Sequence, residues 1–342
     1  MSEGKNKIVF FDTHGGDSKY FRRALKNVFK SEVITTEEPL NTETVSKYQD
    51  VNIVSVFVTS KVSSDVIKKL PNLELVAARS TGHDHIDVVA AKKNHVLVST
   101  VPTYGESTVA EYAFMLMINV ARRFSESVEQ IEGGVIDHAQ LTGLDLEGKT
   151  LGILGCGKIG KHVAAIAMGF GMRVIGYDKF PVDNENIAEV SLDELLEESD
   201  VISLHLPLTD ETKHIINKTS LAKTKKGVII VNTARGELIK TSDLIDSLYS
   251  GQVSGVGLDV IEGEELLRFD EDIALLHPGV SKQDLLLRAE HSVLQRLPNV
   301  VLTPHNAFNS QEALTRIRET TTENIKQFLL NEPQNIVKQA DK

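Results

Sequence analysis

Residues Leu151 to Asp178 read LGILGCGKIGKHVAAIAMGFGMRVIGYD, and this stretch decides the fold of the second part of the chain. An apolar run, LGIL, leads into Gly155, Gly157 and Gly160, which have the spacing G-x-G-x-x-G. Apolar residues then recur every three or four positions, as on one helix face, and a second apolar run ends at Asp178. Strand, glycine turn, helix and strand in this order predict a dinucleotide-binding unit of the Rossmann type.

Each position in this motif has a physical reason. The first glycine allows a tight turn, the second admits a pyrophosphate, and the third lets helix and strand approach closely. The helix N-terminus offers unpaired N–H groups to the phosphates. Asp178 stands where a carboxylate accepts hydrogen bonds from ribose hydroxyls. Cys156 fills a variable slot of the loop, and we do not expect it to be catalytic.

Composition narrows the class of protein. The chain has 342 residues and a formal net charge of −11, which disfavours a nucleic-acid or anionic-membrane surface. Its single cysteine cannot form an intrachain disulfide, as expected for the reducing cytoplasm. The N-terminus lacks the apolar run of a signal peptide, and tracts such as AFMLMI are too short to span a bilayer.

Short β-rich runs alternate with helical patterns before residue 104 and again from Leu151. This alternation predicts an α/β fold with two Rossmann-like or flavodoxin-like parallel-sheet domains and a cleft between them. One long helix is expected over Ser107 to Ile131. A last helix, about Gln311 to Leu330, is expected to return to the N-terminal domain. The predicted domains are therefore residues 1–103 with 308–342 for substrate, and residues 104–307 for the nucleotide.

Polar groups follow several predicted strands of the second domain. Arg235 follows GVIIVNT, Asp259, Glu262 and Glu264 follow SGVGL, and His305 follows NVVLTP. Ligands of doubly wound sheets collect at the carboxyl ends of strands. We therefore expect arginine, carboxylate and histidine from separate loops to converge on one site.

The chain resembles the D-isomer-specific 2-hydroxyacid dehydrogenase family, and most closely its D-lactate dehydrogenases. The resemblance rests on RSTGHDHID, VPTYGESTVAEYA, LGILGCGKIG, SDVISLHLPLTDET, VNTARGELI, GLDVIEGEE and TPHNAF, in the order typical of the family. It implies an NAD-dependent oxidoreductase that interconverts pyruvate and D-lactate, working as a cytoplasmic homodimer. It also implies that Arg235 binds the substrate carboxylate, that His305 is the acid/base, and that Glu264 is its partner.

The resemblance implies further contacts. The implied substrate site comprises Thr81, Gly82, Tyr104, Arg235, His305 and Phe308, with Phe57 as an additional candidate for the pocket wall. The implied NAD site comprises Gly155, Gly157, Lys158, Ile159, Gly160, Asp178, Leu206, Pro207, Thr212, Thr233, Ala234, Arg235 and Asp259. The N-terminal domain would then close over the site and exclude water from it.

Several alternatives stay open. The substrate is alternatively glyoxylate, hydroxypyruvate or another 2-oxo acid, and a corepressor-like scaffold that senses NAD is a candidate of another class. The cluster GHDHID at residues 82–87 suggests a metal site, but cap and surface roles are simpler and we predict no metal. The long charged segment between Glu264 and His305 departs from the simplest family pattern and has no assigned role.

Overall fold

The structure is a computed structural model that describes residues 6–26, 28, 31–268 and 281–338. The chain divides into two compact units, Met1–Tyr104 with Ser310–Lys342, and Gly105–Asn309. Within the described residues, no helix is both long and apolar enough to cross a membrane. The sheets of both units consist of parallel strands wherever the described strands pair.

The described strands are β1 (Lys7–Phe10), β2 (Glu32–Thr35), β3 (Ile53–Val56), β4 (Leu75–Ala78), β5 (Leu97–Ser99), β6 (Thr150–Leu154), β7 (Arg173–Tyr177), β8 (Ala188–Glu189), β9 (Val201–Leu204), β10 (Val228–Asn232), β11 (Val253–Leu258) and β12 (Val300–Leu302). The described α-helices are α1 (Asp17–Ala24), α2 (Ser64–Lys68), α3 (Val88–Lys93), α4 (Glu106–Arg122), α5 (Phe124–Glu132), α6 (Lys158–Gly169), α7 (Leu192–Glu198), α8 (Lys218–Leu221), α9 (Thr241–Ser250), α10 (Lys282–Arg296) and α11 (Gln311–Leu329). Short 3₁₀ helices lie at Val45–Tyr48, Gly236–Leu238 and Glu264–Arg268.

The first unit contains a sheet whose described strands run in the order β2-β1-β3-β4-β5. Helices α1 and α11 pack together, and Phe10 of β1 stacks on Phe21 of α1 with ring centroids 4.0 Å apart. Ile325 of α11 is fully buried in the same cluster. Asn324 of α11 also donates to the carbonyl of Thr100 at 2.8 Å, so the last helix belongs to the core of this unit.

The second unit contains a sheet whose described strands run in the order β12-β11-β10-β9-β6-β7-β8. Strand β6 is buried throughout and lies between β9 and β7, so the strand that leads into the glycine turn is central. Parallel strands buried on both faces have continuous apolar runs, which is how the sequence reads here. The prediction of two parallel-sheet α/β domains is confirmed.

The prediction of one helix over Ser107 to Ile131 is wrong, because α4 ends at Arg122 and α5 begins at Phe124. Arg123 between them has a positive φ of 51°, which no α-helix accommodates. The carbonyl of Ala121 accepts a hydrogen bond from the amide of Leu144 at 2.9 Å. A contact with a distant segment therefore replaces the helical hydrogen bond at this point.

Candidate active site

The glycine turn lies between β6 and α6, and its three glycines are needed for different reasons. Gly155 has a φ of +99°, and a Cβ there would lie 2.6 Å from the carbonyl carbon of His205. A Cβ on Gly160 would lie 2.3 Å from the carbonyl oxygen of Gly155. At Gly157, the first residue before α6, a Cβ would meet no protein atom within 4 Å. The open space at Gly157 therefore leaves room for a phosphate beside the N-terminus of α6.

Asp178 supports this turn directly. One carboxylate oxygen accepts a hydrogen bond from the amide of Cys156 at 2.8 Å, and the other accepts one from the amide of Phe180 at 3.1 Å. A carboxylate has further lone pairs, so Asp178 can also accept from ribose hydroxyls. Cys156 itself is buried, and burial raises the pKa of its thiol to about 12. The thiol is therefore protonated at neutral pH and unsuited to nucleophilic chemistry.

The predicted residues on the adenine side form a small loop after β9. Leu206 is buried, and the hydroxyl of Thr212 donates to the carbonyl of Pro207 at 2.6 Å. The amide of Thr209 donates to the same hydroxyl at 2.8 Å, which closes the loop. Desolvation lowers the pKa of neighbouring His205 to about 4, so this ring is neutral at pH 7. The loop is thus held by its own hydrogen bonds beside the glycine turn.

Other predicted cofactor residues lie at the glycine turn and after β10. Lys158 begins α6, and its Nζ lies 3.6 Å from a carboxylate oxygen of Glu106. Ile159 packs against the core of the unit. Thr233 Oγ1 is buried and has no hydrogen-bond partner within the residues that the structure describes. An unsatisfied buried hydroxyl at the carboxyl end of a strand suits a ligand that supplies the missing hydrogen bond.

Arg235 lies on a turn held by a buried asparagine. Asn232 is fully buried, and its side chain accepts from the amide of Ala234 at 3.0 Å and donates to the carbonyl of Arg235 at 2.8 Å. The guanidinium Nη1 of Arg235 donates to the carbonyl of Ala234 at 2.7 Å. Asn232 was not predicted as a site residue, although an asparagine ending a buried apolar run is the available signal.

Gly236 brings the Arg235 turn against the segment that follows β11. A Cβ at Gly236 would lie 2.0 Å from the carbonyl carbon of Ile261 and 2.4 Å from the amide nitrogen of Glu262. Such distances are far below van der Waals contact. Only glycine therefore allows the turn carrying Arg235 to pack directly on the chain that leads into Glu264.

We expect Gly236→Ala to separate these two segments and to cost about 1–3 kcal/mol of unfolding free energy through overpacking. If the site reduces a 2-oxo acid as the sequence predicts, turnover should fall by roughly 10-fold, since a small displacement of the predicted catalytic groups is costly. Steady-state kinetics and thermal unfolding of one preparation test this. Gly169→Ala, at an open and exposed position at the end of α6, is the matched control. It should keep the wild-type turnover and the wild-type unfolding free energy. Wild-type behaviour of Gly236→Ala would contradict the packing argument.

His305 is placed by a buried carboxylate. Asp259, which follows β11, is 1% exposed. Its two oxygens accept from the hydroxyl of Thr303 at 2.6 Å and from the amides of Asn306 at 2.7 Å and Ala307 at 2.8 Å. The amide of His305 donates to the carbonyl of Asp259 at 2.9 Å. These bonds hold His305 at a positive φ of 52°, a conformation that costs energy for a residue with a Cβ.

Glu264 and His305 form the central pair of the site. The Nδ1 atom of His305 lies 2.9 Å from a carboxylate oxygen of Glu264. An ionised carboxylate only accepts hydrogen bonds, so Nδ1 is the donor and Nε2 is left to exchange a proton with a substrate. Both side chains are partly exposed, at 30% for His305 and 41% for Glu264, so a ligand can reach them.

Glu262, two residues before Glu264, forms hydrogen bonds with side chains from other segments of the second unit. Its carboxylate lies 2.7 Å from Nε2 of His214 and accepts from the hydroxyl of Thr241 at 3.1 Å. Its carbonyl lies 2.8 Å from Nε2 of His291, which is fully buried. Burial is the largest cause that lowers the pKa of His291. His214 and His291 were not predicted from the sequence, because their partner is far from both along the chain.

His291 lies in the charged segment between Glu264 and His305, and its contact with Glu262 shows that part of this segment has a structural role. The segment contains α10, which begins with a capping box between Ser281 and Asp284. Besides His291, α10 buries Leu294, and Leu287 packs closely over Gly263. Helix α10 therefore supports the turn that leads into Glu264. Residues 269–280 of the segment lie outside the described residues.

The remaining predicted substrate residues lie in both units of the chain. In the first unit, the hydroxyl of Thr81 donates to the carbonyl of Val101 at 2.7 Å, and that of Ser80 donates to the carbonyl of Gly82 at 2.7 Å. The carbonyl of Tyr104 accepts from Arg316 at 2.7 Å. Phe308 is half-buried and belongs to the second unit, close along the chain to His305.

The histidine-rich stretch at residues 82–87 has a structural explanation. Asp87 precedes α3, and its carboxylate accepts from the amide of Ala90 at 2.8 Å, which is an N-cap. Across the part of the chain that the structure describes, no group of three or more His, Cys, Asp or Glu side chains could hold a metal ion.

Comparison with known proteins decides the family. The family model described as D-isomer specific 2-hydroxyacid dehydrogenase, NAD binding domain, matches residues 114–307, which is more than half of the chain. The chain belongs to this family. It is therefore an NAD-dependent oxidoreductase of 2-hydroxy acids, and the open position at Gly157 and the unsatisfied hydroxyl of Thr233 fit the cofactor that the family uses.

Individual members of the family match over nearly the whole chain. A 2-hydroxyacid dehydrogenase homolog of Schizosaccharomyces pombe is 37% identical and covers 95% of this chain and 97% of its own length. A D-lactate dehydrogenase of Curvularia clavata is 35% identical over 93% of this chain and 91% of its own. A D-lactate dehydrogenase of Aquifex aeolicus, solved with NAD and lactic acid, has a TM-score of 0.84 and 33% identity, covering 95% of this chain and 96% of its own.

Proposed function

We propose that this dehydrogenase is a D-lactate dehydrogenase, which interconverts pyruvate and D-lactate. The observation that carries the proposed reaction, the reduction of a 2-oxo acid, is the hydrogen bond between His305 Nδ1 and Glu264, which leaves the opposite nitrogen, Nε2, to exchange a proton with the substrate. The Arg235 turn packs on the segment leading into Glu264, so a cation for a substrate carboxylate is held near the acid. The likeness to D-lactate dehydrogenases over nearly the full chain supports the choice of pyruvate.

The residues have a role in each part of the reaction. The guanidinium of Arg235 binds the carboxylate of the 2-oxo acid with two charge-assisted hydrogen bonds. The nicotinamide, when bound, supplies the hydride that reaches the carbonyl carbon. His305 Nε2 gives its proton to the carbonyl oxygen and takes it back in the reverse direction. The carboxylate of Glu264 accepts the hydrogen bond from Nδ1 and so fixes the tautomer and the orientation of the ring.

Further substrate contacts are proposed from the family resemblance. Backbone groups of Thr81 and Gly82 bind the substrate carboxylate, and Tyr104 and Phe308 bound the pocket for its side chain. Phe57 is a further wall of that pocket. Apolar and aromatic walls suit the methyl group of pyruvate better than a phosphate, because a buried phosphate needs donors or cations.

A second candidate is reduction of hydroxypyruvate or glyoxylate. A specific comparison favours it, since hydroxypyruvate reductases of Blautia hydrogenotrophica and Thermotoga maritima are 34% and 38% identical to this chain. The catalytic chemistry is the same for all these substrates, so only the pocket decides among them.

NADH oxidation measured with pyruvate, 2-oxobutyrate, hydroxypyruvate and glyoxylate tests the proposal. Pyruvate should give the highest kcat/KM, and in reverse D-lactate should be oxidised while L-lactate is not. A kcat/KM for hydroxypyruvate or glyoxylate 10-fold above that for pyruvate would replace the proposed substrate. Absence of turnover with every 2-oxo acid would overturn the assignment of the reaction.

The position of Asp178 predicts preference for NAD(H) over NADP(H). The extra phosphate of NADP(H) would face this carboxylate, and two unit charges about 4 Å apart repel by about 4 kcal/mol at an effective dielectric of about 20. After a discount for solvent screening, kcat/KM should favour NADH by on the order of 100-fold. Initial rates with both cofactors at saturating pyruvate test this. Equal efficiencies would contradict the role of Asp178.

We also propose that the enzyme is a homodimer of the cytoplasm. Phe124, Val128 and Ile131 lie on one face of α5 and are 60%, 41% and 63% exposed. Val135 and Ile136, which follow the helix in the chain, are exposed as well. Exposed apolar side chains on one helix face are typical of an interface, and a second copy of the chain is the occupant we propose. Light scattering of the purified protein should give twice the mass of one chain, and a monomer would reject the proposal.

A further inference from the structure

A buried pair of opposite charges lies at the carboxyl end of the sheet in the first unit. Asp12 follows β1 and Arg79 follows β4, and they are only 3% and 2% exposed. The strand order reverses between β1 and β3, and ligands of such sheets bind beside the carboxyl ends of the strands at this point. The pair therefore occupies the place where the topology of this unit favours a binding site.

The carboxylate of Asp12 is engaged by the segment after β3. One oxygen accepts from the amide of Phe57 at 2.9 Å and from the hydroxyl of Ser60 at 2.6 Å. The other oxygen accepts from the hydroxyl of Thr59 at 2.5 Å. Asp12 itself has a positive φ of 50°, a strained backbone that these bonds help to hold. Asp12 thus fixes the backbone of Phe57.

The guanidinium of Arg79 lies close to the ring of the same phenylalanine. Nη2 donates to the carbonyls of Phe11 at 2.6 Å and Asp12 at 2.9 Å, and Nη1 donates to Ser55. The guanidinium carbon lies 5.7 Å from the ring centroid of Phe57, within the range of a cation–π interaction. Phe57 is therefore bonded at its backbone by Asp12 and contacted at its ring by Arg79.

Arg79 also anchors the turn that follows β4. The next residues are Ser80, Thr81 and Gly82. The amide of Val101 donates to the carbonyl of Ser80 at 3.0 Å, and the hydroxyls of Ser80 and Thr81 hold Gly82 and Val101 as described above. The turn therefore begins at a residue whose guanidinium forms hydrogen bonds with the ends of β1 and β3.

Stability alone does not explain why these charges are buried. Burying two ions is costly, and apolar residues of similar volume in their place are often neutral or stabilising. Burial lowers the pKa of Arg79 to about 10, so the guanidinium still carries its charge at neutral pH. The hydrogen bonds of both side chains reach the ends of neighbouring strands and so restrain them, and a selective pocket requires restrained walls.

We propose that Asp12 and Arg79 are positioning residues that set which 2-oxo acid side chains the enzyme accepts, by fixing Phe57 and the Ser80–Gly82 turn. This inference rests on the proposed function, because it assigns Phe57 and the turn to the substrate pocket. Neither charged group needs to touch the substrate. Loosening the pair enlarges the pocket and reduces discrimination against side chains larger than a methyl group.

The test compares two substrates on the same preparation of Asp12→Asn, Arg79→Lys and Arg79→Met. The ratio of kcat/KM for pyruvate to that for phenylpyruvate is independent of the fraction of active enzyme, so partial unfolding does not change it. We expect this ratio to fall at least 10-fold in Asp12→Asn and Arg79→Met, with the Kd for NADH unchanged. Arg79→Lys keeps the charge but loses the planar fork, so its ratio should lie between those of wild type and Arg79→Met.

Leu73→Ala is the matched control for loss of stability. Leu73 is 5% exposed and precedes β4, at the end of the strand opposite to Arg79. Truncating a buried leucine lowers Tm through a cavity. This variant should keep the wild-type substrate ratio. Ratios within twofold of wild type in both Asp12→Asn and Arg79→Met would leave the pair a purely structural role and overturn the inference.

A spectroscopic test separates the inference from the proposed function. The chain has no tryptophan, so Phe57→Trp places one fluorophore at the residue that the pair holds. Adding Asp12→Asn or Arg79→Met to this variant should shift its emission and lower its anisotropy, whereas adding Leu73→Ala should not. This readout needs no 2-oxo acid, so it stands even if the enzyme does not reduce pyruvate. Unchanged emission and anisotropy would overturn the inference even in an active enzyme.

Discussion

Replacing His305 with glutamine is expected to lower kcat for pyruvate reduction by about 10²–10⁴-fold, the usual contribution of general acid–base catalysis. Glutamine keeps approximate size and polarity, but it cannot give a proton to the carbonyl oxygen. The hydrogen bonds of Asp259 to the backbone after His305 do not involve the imidazole, so the loop should keep its path. Stopped-flow measurement of hydride transfer and titration with NADH, both on the same preparation, give the catalytic rate and the cofactor affinity separately.

The positive φ of His305 calls for a second variant. Asparagine tolerates this backbone conformation better than glutamine does, so His305→Asn separates loss of the acid from backbone strain. Both variants should retain the Kd for NADH and lose turnover to a similar extent. Turnover near the wild-type rate in either one would require another acid. Parallel loss of NADH binding and of Tm would show that the loop had collapsed.

Arg235→Lys is expected to lower kcat/KM for pyruvate by about 10- to 10⁴-fold. Lysine keeps the charge but loses the planar fork, and each hydrogen bond to a charged group is worth roughly 1.5–3 kcal/mol. Because the ketone would then be less accurately placed, kcat should fall together with the apparent affinity for pyruvate. Asn232 and Gly236 hold the turn through backbone contacts, so Tm should change little.

Arg173→Lys is the matched control for this substitution. Arg173 is an exposed arginine at the start of β7, where it pairs with Glu198 at 2.7 Å. Exposed ion pairs contribute little to stability, so this variant should keep both the kinetics and the Tm of wild type. Unchanged pyruvate kinetics in Arg235→Lys would remove Arg235 from the site and with it the proposed recognition of the 2-oxo acid.

The fold is predictable from the sequence where apolar runs and helical periodicity are long. Strands β3 and β4 of the first unit and β6 and β10 of the second are buried throughout, and their runs are largely apolar, so the two parallel sheets are predicted correctly. Strand β2 has no such run, since its four residues are exposed or half-buried at an edge of the sheet. The break between α4 and α5 depends on a hydrogen bond to Leu144, which no local pattern indicates.

For the candidate site, the sequence predicts which strands are followed by polar groups. The sequence places Glu264 and His305 after two strands, and the structure shows that those strands, β11 and β12, are neighbours and that the two side chains form a hydrogen bond. The supporting residues are harder to find. Glu262 and Arg79 act through contacts with residues distant in the chain, whereas Asn232 holds the turn that directly follows it. A polar residue ending an apolar run is the only local signal for all three. The catalytic and binding roles remain predictions for the variants above to test.

The buried thiol beneath the glycine turn has a consequence for the chemical durability of the enzyme. Oxidants attack the thiolate, and burial raises the pKa of the enclosed Cys156 thiol to about 12, so little thiolate forms at neutral pH. No other cysteine occurs in the chain. The catalyst should therefore tolerate peroxide and disulfide stress that inactivates enzymes with exposed thiolates. It also provides a background in which a cysteine introduced at the surface is the sole site for a fluorescent or spin label.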